Sequence, residues 1–366
     1  MNDLENARIG RRGFLKGAAS AATVAATSQW LSPSRAGAAA PAFPVALRRC
    51  KKYDRTMIYD TMGQMFADLG GLSALVSGKK IAIKINGVGF GMYDHSTHSK
   101  FTHTTHPEVV YAACRHFLEA GAAQINIMES YQTTDTVAQQ LVVLGFEGAC
   151  SQAAFEALGN GSQVHFYSTR TKDTDVVEPG GWAGYAQVDP TTTGFGEGPA
   201  YMFDYFYFNK LWVAPKADII VSIAKMKGHA VAGVTLSMKN LFGCPPPTIY
   251  GGSTPITLAS GPDESITSAR NNSCHQKLWT PVGEKTTHSI LSEPSQRMPH
   301  LIADLNRALP IRLGIIDGIT GLQAEMNAQA FTSITTPGVL AAGYNPVCLD
   351  AVCCGVMGCD PQSPAE

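Results

Sequence analysis

The sequence has little charge and no excess of one sign. Charged residues make up 16% of its 366 residues, and 28 lysines and arginines are balanced by 29 aspartates and glutamates. No long basic tract is present, which argues against a nucleic-acid-binding protein. After the first 38 residues, no apolar run reaches the roughly 20 residues needed to cross a bilayer. We therefore expect a mature protein without a membrane span and without a nucleic-acid partner.

Several signature motifs of nucleotide and metal enzymes are missing. The sequence contains no Walker phosphate loop, no G-x-G-x-x-G fingerprint, no nucleophile elbow and no H-E-x-x-H motif. These absences disfavour hydride transfer with a Rossmann-bound dinucleotide and phosphoryl transfer by a phosphate-loop enzyme.

The nine cysteines lack the C-x-x-C spacing that many metal and redox sites use. Four of them cluster near the C-terminus, namely Cys348, Cys353, Cys354 and Cys359. They fall on or just after a predicted helix over residues 346–358, where cysteine often serves as a small buried apolar residue. Core packing is the first interpretation, a disulfide the second, and an iron–sulfur or zinc site the third.

The N-terminus carries the features of an export signal. Arg11 and Arg12 precede Phe-Leu-Lys, a mildly apolar segment follows over residues 17–30, and small residues allow cleavage after Ala38. This pattern predicts a twin-arginine signal peptide over residues 1–38. The predicted partner is the twin-arginine translocase, which exports folded proteins, and the predicted location is the periplasm or the extracellular space.

Residues 39–366 alternate predicted strands and helices. This alternation is typical of a single α/β domain in which a mainly parallel sheet is flanked by helices. Two stretches, at about 169–204 and about 244–297, are irregular and rich in glycine, proline and small polar residues. We predict that they are insertions over the carboxyl edge of the strands, where ligands bind in open α/β sheets.

The segment at residues 217–247 combines an apolar, β-branched run with a cluster of basic side chains. The pattern predicts a strand, then a polar turn containing Lys225, Lys227 and His229, then a helix that begins near Thr235. Because helix N-termini favour anions, we expect these side chains to face a negatively charged ligand or a metal. A solvated basic turn is the alternative.

This segment resembles the signature of the domain of unknown function 362 family, in which a strand leads into a lysine- and histidine-bearing turn and a K-N-L-F-G helix end. The K-x-K-G-H and K-N-L-F-G pieces match at residues 225–229 and 239–243. Further pieces match in order at residues 81–86, 105–110, 121–130, 313–318 and 345–350. The resemblance covers most of the mature chain and implies a shared fold and site, without implying a reaction.

Four of the ten histidines lie between residues 95 and 106, just before the helix that Pro107 is expected to begin. Neutral imidazole is the commonest metal ligand in proteins, and loop histidines can converge on one ion. We predict His103 and His106 as ligands of a transition metal. A solvated loop that binds nothing is the alternative.

Polar side chains follow several predicted strands at one edge of the sheet. The predicted catalytic residues are Lys227, His229, Glu129 and Asp317. The predicted substrate-binding residues are Lys84, Asn86, Lys225, Thr235, Lys239 and Asn240. Such a site suits a small anionic ligand, because lysines neutralise its charge while a histidine or carboxylate moves a proton.

The sequence thus predicts an exported metal- or cofactor-dependent enzyme that acts on a carboxylate, a sugar acid or a phosphate. Two other functions stay open. The first is a non-catalytic periplasmic protein that binds a ligand or a metal, and the second is an iron–sulfur redox partner. The sequence does not specify the cofactor; a transition metal is the first expectation and an iron–sulfur cluster the second.

Overall fold

The computed structural model describes residues 43–87, 100–131, 135–171, 182–190, 200–229, 231–266, 274, 279–285, 293–323 and 334–361. The predicted signal peptide lies outside these residues, as do His95 and His98. Within them, a nine-stranded mixed sheet forms the centre of the molecule.

The described residues contain eleven strands. They are β1 (Val45–Arg49), β2 (Lys80–Ile85), β3 (Gln124–Glu129), β4 (Val164–Ser168), β5 (Tyr185–Val188), β6 (Phe206–Asn209), β7 (Ile219–His229), β8 (Gly233–Thr235), β9 (Ile311–Leu322), β10 (Ile334–Thr335) and β11 (Val339–Gly343). The main sheet has the order β1-β11-β9-β7-β2-β3-β4, and β5 and β6 form a separate pair. The run from β9 to β4 is parallel, whereas β1, β8, β10 and β11 pair antiparallel.

Helices cover both faces of this sheet, so the predicted α/β fold with a mainly parallel sheet is confirmed. The helices are α1 (Arg55–Asp68), α2 (Ser73–Val76), α3 (Pro107–Glu119), α4 (Val137–Val143), α5 (Gln152–Leu158), α6 (Ser237–Asn240), α7 (Pro247–Tyr250), α8 (Pro294–Ala308) and α9 (Pro346–Val356). On one face, alternate residues of β2, β7 and β9 pack with α1 and α3. On the other face, the intervening residues pack with α8 and with parts of both predicted insertions.

Local sequence signals explain where several helices begin and end. Pro107 is the first residue of α3, and the preceding His106 accepts the Glu108 backbone N–H at its Nδ1 atom over 3.1 Å. Proline suits this position because the first helical N–H groups have no partner within the helix. Gly121 follows the helix with φ of 92°, a conformation that favours glycine. The helix expected to begin at Pro107 is therefore confirmed.

The predicted turn after residue 223 is wrong. β7 continues through the lysines to His229, and Thr235 is the last residue of the short strand β8 rather than the start of a helix. The neighbouring strand β9 provides the reason, since it runs parallel to β7 and places Asp317 opposite Lys225. Ladder partners and a buried countercharge outweigh the low strand propensity of lysine and glycine. The lysines are consequently buried, so the alternative of a solvated basic turn is wrong as well.

The described parts of the two predicted insertions pack on one face of the sheet and are attached to α8. The buried guanidinium of Arg297 donates to the Cys274 carbonyl over 2.8 Å and to Glu284 Oε1 over 2.8 Å. The buried carboxylate of Asp304 accepts the backbone N–H groups of Tyr201, Met202 and Phe203 over 2.6–2.9 Å. These charge-assisted hydrogen bonds fix otherwise irregular backbone to a regular helix.

The described residues contain neither a membrane-spanning helix nor a disulfide. Among the described residues, no helix is long and apolar enough to cross a membrane. All nine cysteines lie within the described residues, and all are free thiols. Cys353 is buried in the contact of α9 with the sheet, which agrees with core packing, while Cys359 is exposed.

Candidate functional site

The first ion pair of the candidate site joins the ends of two neighbouring parallel strands. Lys84 near the end of β2 donates from Nζ to Glu129 Oε2 over 2.7 Å and to the Ile85 carbonyl over 2.6 Å. The Glu129 carboxylate also accepts the backbone N–H groups of Gly87 and Ser130, over 2.8 and 2.9 Å. Both charged side chains are buried. Because each charge has a countercharge and further hydrogen bonds, this pair can exist away from water.

Two glycines allow the backbone to approach this ion pair. A Cβ atom at Gly243 would lie 2.6 Å from Lys84 Cε, 2.7 Å from Lys84 Nζ and 3.0 Å from Glu129 Oε1. A Cβ atom at Gly87 would lie 3.0 Å from Glu129 Cγ. Gly243 is the last residue of the K-N-L-F-G segment, so glycine here has a steric reason: the segment packs directly on the ammonium group.

The second ion pair lies on the adjacent strands β7 and β9. Lys225 Nζ donates to Asp317 Oδ2 over 3.0 Å and to the Tyr53 hydroxyl over 2.6 Å. Tyr53 in turn donates to Asp317 Oδ1 over 3.0 Å. Burial lowers the pKa of Lys225, and the Asp317 charge opposes this shift. Burial and the same carboxylate raise the pKa of Tyr53, so its hydroxyl is held as a proton donor.

His106 joins this second pair through its backbone and its ring. Its N–H donates to Asp317 Oδ2 over 3.1 Å, and its imidazole stacks on the Tyr53 ring with centroids 3.8 Å apart and planes 8° apart. Phe101 lies on the imidazole as well, at 4.1 Å between ring centroids. His106 therefore connects the start of α3 to the strand ends.

Lys227 is the third buried lysine, and only 1% of it is exposed. Its Nζ donates to the His103 carbonyl over 2.9 Å. Burial lowers the pKa of Lys227 well below the ordinary value, and the charges of Lys239, Lys225 and Lys84 lower it further, while Glu129 opposes them. The surroundings thus shift this amine towards its neutral form.

Thr235 lies opposite Lys227 in the antiparallel register of β7 and β8. Directly opposed residues of an antiparallel pair project on the same face, with Cβ atoms about 4.5–5.5 Å apart. The Thr235 hydroxyl is buried and has no hydrogen-bond partner among the described residues. A buried hydroxyl of this kind is able to hydrogen-bond to a ligand or a water.

The remaining predicted residues have supporting contacts. Asn240 donates to the Lys84 carbonyl and to Ser222 Oγ, each over 3.0 Å. The Asn86 carbonyl and N–H both bond to Thr105, over 3.0 Å each. These two asparagines hold backbone segments together at the strand ends, so their observed contacts are within the protein.

His229 and Lys239 lie at the margin of this group. His229 Nδ1 accepts the N–H groups of Val231 and Ala232 over 3.1 and 3.2 Å, so its ring caps the turn between β7 and β8. Lys239 places its ammonium 4.6 Å from the centre of the Phe242 ring. Lys239 influences Lys227 through its charge, whereas the observed contacts of His229 are those of a turn cap.

Two contributors to the site were not predicted from sequence. Tyr53 and Thr320 both contact the Lys225–Asp317 pair, with 2.9 Å between the Tyr53 and Thr320 hydroxyl oxygens. Thr320 lies on the same strand as Asp317, three residues later. A sequence analysis that extended this strand beyond Asp317 would have placed Thr320 near the ion pair. Tyr53 lies in a connection between β1 and α1 that carries no recognisable motif.

The described residues do not form a complete metal site around His103 and His106. No group of three or more histidine, cysteine, aspartate or glutamate side chains within the described ranges is arranged to hold an ion. The Nδ1 atom of His106 also accepts a backbone hydrogen bond, which leaves Nε2 as the nitrogen able to bind a metal. Protein metal sites generally use three or four protein ligands. The assignment of His103 and His106 as metal ligands therefore stays a prediction.

Comparison with known proteins supports the family resemblance over part of the chain. Residues 194–355 match the domain of unknown function DUF362. A thylakoid-associated protein from Synechocystis is 25% identical over 169 residues, which are 45% of this chain and 41% of that protein. A Thermotoga maritima protein of known crystal structure has a TM-score of 0.39 and 12% identity, covering 84% of this chain and 59% of that one. The chain thus spans less than two thirds of both relatives.

Proposed function

We propose that this protein is an exported enzyme that binds a small anionic organic substrate, such as a carboxylate, a sugar acid or a phosphate, and moves a proton with Lys227. The observation that carries this proposal is the pair formed by Lys227 and Thr235. A buried amine with a lowered pKa lies across the strand pair from a buried hydroxyl without a hydrogen-bond partner in the described structure.

The electrostatics of the site suit an anion. Lys84 and Lys225 are each paired with one carboxylate, and Lys239 adds another cation near Lys227. A bound anion would offset the repulsion that these cations exert on Lys227 and would raise its pKa. Substrate binding and protonation of Lys227 are therefore coupled, and an amine with a lowered pKa is suited to act as a base.

The first experiment measures this coupling. Purified protein is titrated calorimetrically with small carboxylates, sugar acids and phosphates in buffers of different ionisation enthalpy. We expect the wild type to take up protons on binding. Lys227→Met should lose this proton uptake and should bind at least tenfold more weakly. Thr235→Val should weaken binding while retaining proton uptake, because it removes only a hydrogen-bonding group.

The matched control is Lys80→Met, which also removes one lysine charge. Lys80 is the first residue of β2, at the end of the strand away from the candidate site, and its Nζ donates to the Pro215 carbonyl over 3.0 Å. This variant should bind like the wild type. Equal affinity and equal proton uptake in the wild type and in Lys227→Met would contradict the proposal.

A second measurement separates an enzyme from a binding protein. The near-complete burial of Lys84, Lys225 and Lys227 also suits the alternative of a non-catalytic periplasmic protein that holds an anion. Proton NMR of a binding anion in heavy water, with catalytic amounts of protein, should show exchange of a carbon-bound proton or new product signals. Binding with an unchanged spectrum would favour the alternative.

Export by the twin-arginine route is part of the same proposal and depends on residues 1–38. Replacement of Arg11 and Arg12 by lysines should retain the precursor in the cytoplasm. Fractionation of cells that produce either the wild type or the double-lysine variant would show this retention. Equal amounts of the wild type and the variant in the periplasm would contradict the proposed export route.

A further inference from the structure

Two cysteines, Cys354 and Cys359, lie at the C-terminal end of helix α9. Gly358 follows the helix with φ of 82°, its N–H donates to the Gly355 carbonyl over 3.1 Å, and the Cys359 N–H donates to the Cys354 carbonyl over 2.9 Å. These two bonds define a Schellman motif. In this motif the side chains at the positions of Cys354 and Cys359 frequently contact each other.

The two thiols differ in accessibility. Cys359 is exposed and Cys354 is half-buried. Burial raises the pKa of Cys354 to about 11, with further contributions from the charges of Asp350 and Cys359. The exposed thiol can therefore react first, and the half-buried thiol is positioned to react second.

We propose that Cys354 and Cys359 form a reversible disulfide that locks the C-terminal end of α9, by exchange with a low-molecular-weight disulfide of the glutathione class. The neighbouring cysteines are poorly placed to compete. Cys353 is buried and lies beside Cys354 on the helix, where adjacent side chains point in different directions. Cys348 is nearly two turns earlier.

The reaction is a balanced pair of exchanges. The Cys359 thiolate attacks one sulfur of the small disulfide, forms a mixed disulfide and releases one small thiol. The Cys354 thiolate then attacks the Cys359 sulfur and releases the second small thiol. Two protein thiols are oxidised to one disulfide, and one small disulfide is reduced to two thiols. The bond is expected in an oxidising compartment and absent in a reducing one.

The position of Met357 between the two cysteines makes the bond easy to locate. Fully reduced, purified protein is equilibrated with glutathione mixtures of increasing oxidised fraction, remaining thiols are alkylated, and the chain is cleaved after methionine with cyanogen bromide. Without reductant, the proposal predicts that the peptide ending at Met357 stays joined to the peptide beginning at Gly358. Tandem mass spectrometry should place the bond between Cys354 and Cys359, with a mass decrease of two hydrogen atoms.

Variants test the pairing. Cys359→Ser and Cys354→Ser should abolish the link between the two peptides, whereas Cys348→Ser should retain it in full. Addition of a reducing dithiol should separate the peptides again. Separate peptides in the oxidised wild type, a stable glutathione adduct on Cys359, or a bond to Cys348 or Cys353 would each overturn the proposal. The wild-type digestion needs no substitution, so the result does not depend on the folding of a variant.

Discussion

Lys225 and Lys227 lie two residues apart on β7 and are both buried, yet their electrostatic surroundings differ. Lys225 has a carboxylate at 3.0 Å, and Asp317 opposes the effect of burial on its pKa. Lys227 donates to a backbone carbonyl and is surrounded by the charges of three other lysines. Burial alone therefore does not determine the protonation state of a lysine. The countercharge on the adjacent strand makes one amine a structural cation and leaves the other disposed to give up its proton.

The largest expected effect comes from removing that countercharge. Asp317→Asn would leave the Lys225 ammonium buried beside an uncharged amide. It would also weaken the hydrogen bonds that residue 317 accepts from the Tyr53 hydroxyl and the His106 N–H. Loss of one partner of a buried ion pair typically costs about 3–5 kcal/mol. Urea unfolding should show a loss of this size in the free energy of unfolding.

The control for this prediction is Asp68→Asn, which removes the carboxylate of the exposed Arg48–Asp68 pair. That change should cost no more than about 1 kcal/mol. Similar losses in the two variants would mean that the buried Lys225–Asp317 pair contributes no more to stability than the exposed Arg48–Asp68 pair.

A smaller effect is expected from Gly243→Ala, which places a methyl group against Lys84. Lys84 is one of the three lysines whose charges lower the pKa of Lys227. The added Cβ would lie 2.6–2.7 Å from the end of Lys84, whose ammonium is held by Glu129 and by the Ile85 carbonyl. Displacing buried, well-packed atoms typically costs about 1–3 kcal/mol. Thermal unfolding should show the loss, and the pKa of Lys227 should change as Lys84 moves.

Gly355→Ala is the matched control for this substitution. A Cβ atom at Gly355 would meet nothing within 4 Å, and the residue lies inside α9. Alanine in a helix is more favourable than glycine by roughly 0.5–1 kcal/mol, so this variant should be slightly stabilised. If both alanine variants gain stability, the close approach of Gly243 to Lys84 is not a constraint.

The smallest effect at any one pH step is a difference in slope, because the stability lost by the wild type relative to Lys227→Met accumulates gradually with pH. The pKa of Lys227 is lower in the folded than in the unfolded state, so its contribution to stability is fully present above the unfolded value of about 10.4 and declines as the pH falls towards the folded value. Between these limits the wild type should lose up to about 1.4 kcal/mol per pH unit relative to Lys227→Met. Unfolding curves from pH 7 to about 10 would measure this difference in slope.

Lys80→Met again serves as the control, because it removes a lysine from the partly exposed start of β2 and should retain the wild-type slope. Lys225 contributes a shift of the same sign, which Asp317 opposes. If the free energy of unfolding depends on pH equally in the wild type and in Lys227→Met, folding does not lower the pKa of Lys227. The electrostatic difference between Lys225 and Lys227 would then be wrong.

The parts of the fold that were predictable are those encoded locally. Helices α4, α5 and α9 are each preceded by a capping residue whose side chain accepts backbone N–H groups of the first turn, namely Thr136, Ser151 and Asn345. Such caps can be read directly from sequence. The continuation of β7 through lysine and glycine could not, because it depends on β9, almost a hundred residues later in the chain.

The candidate site was predictable as a set of strand ends but not as a set of partners. Lys84, Glu129, Lys225 and Asp317 were all selected from their positions after apolar runs, and the structure pairs them two by two. Which cation meets which carboxylate follows from strand order and register, which the sequence does not state. Tyr53 shows the same limit more strongly, because 264 residues separate it from its partner Asp317.

The length of β7 has a consequence for binding. Ile223 is opposite Ile85, the last residue of β2, and β7 continues for six more residues, from 224 to 229. At about 3.3 Å per residue, this extension projects roughly 20 Å beyond the end of β2. It is held between β8 on one side and β9 on the other. The backbone that carries Lys225 and Lys227 is therefore ordered before any ligand arrives, so an anion bound there would lose little affinity to the ordering of protein groups.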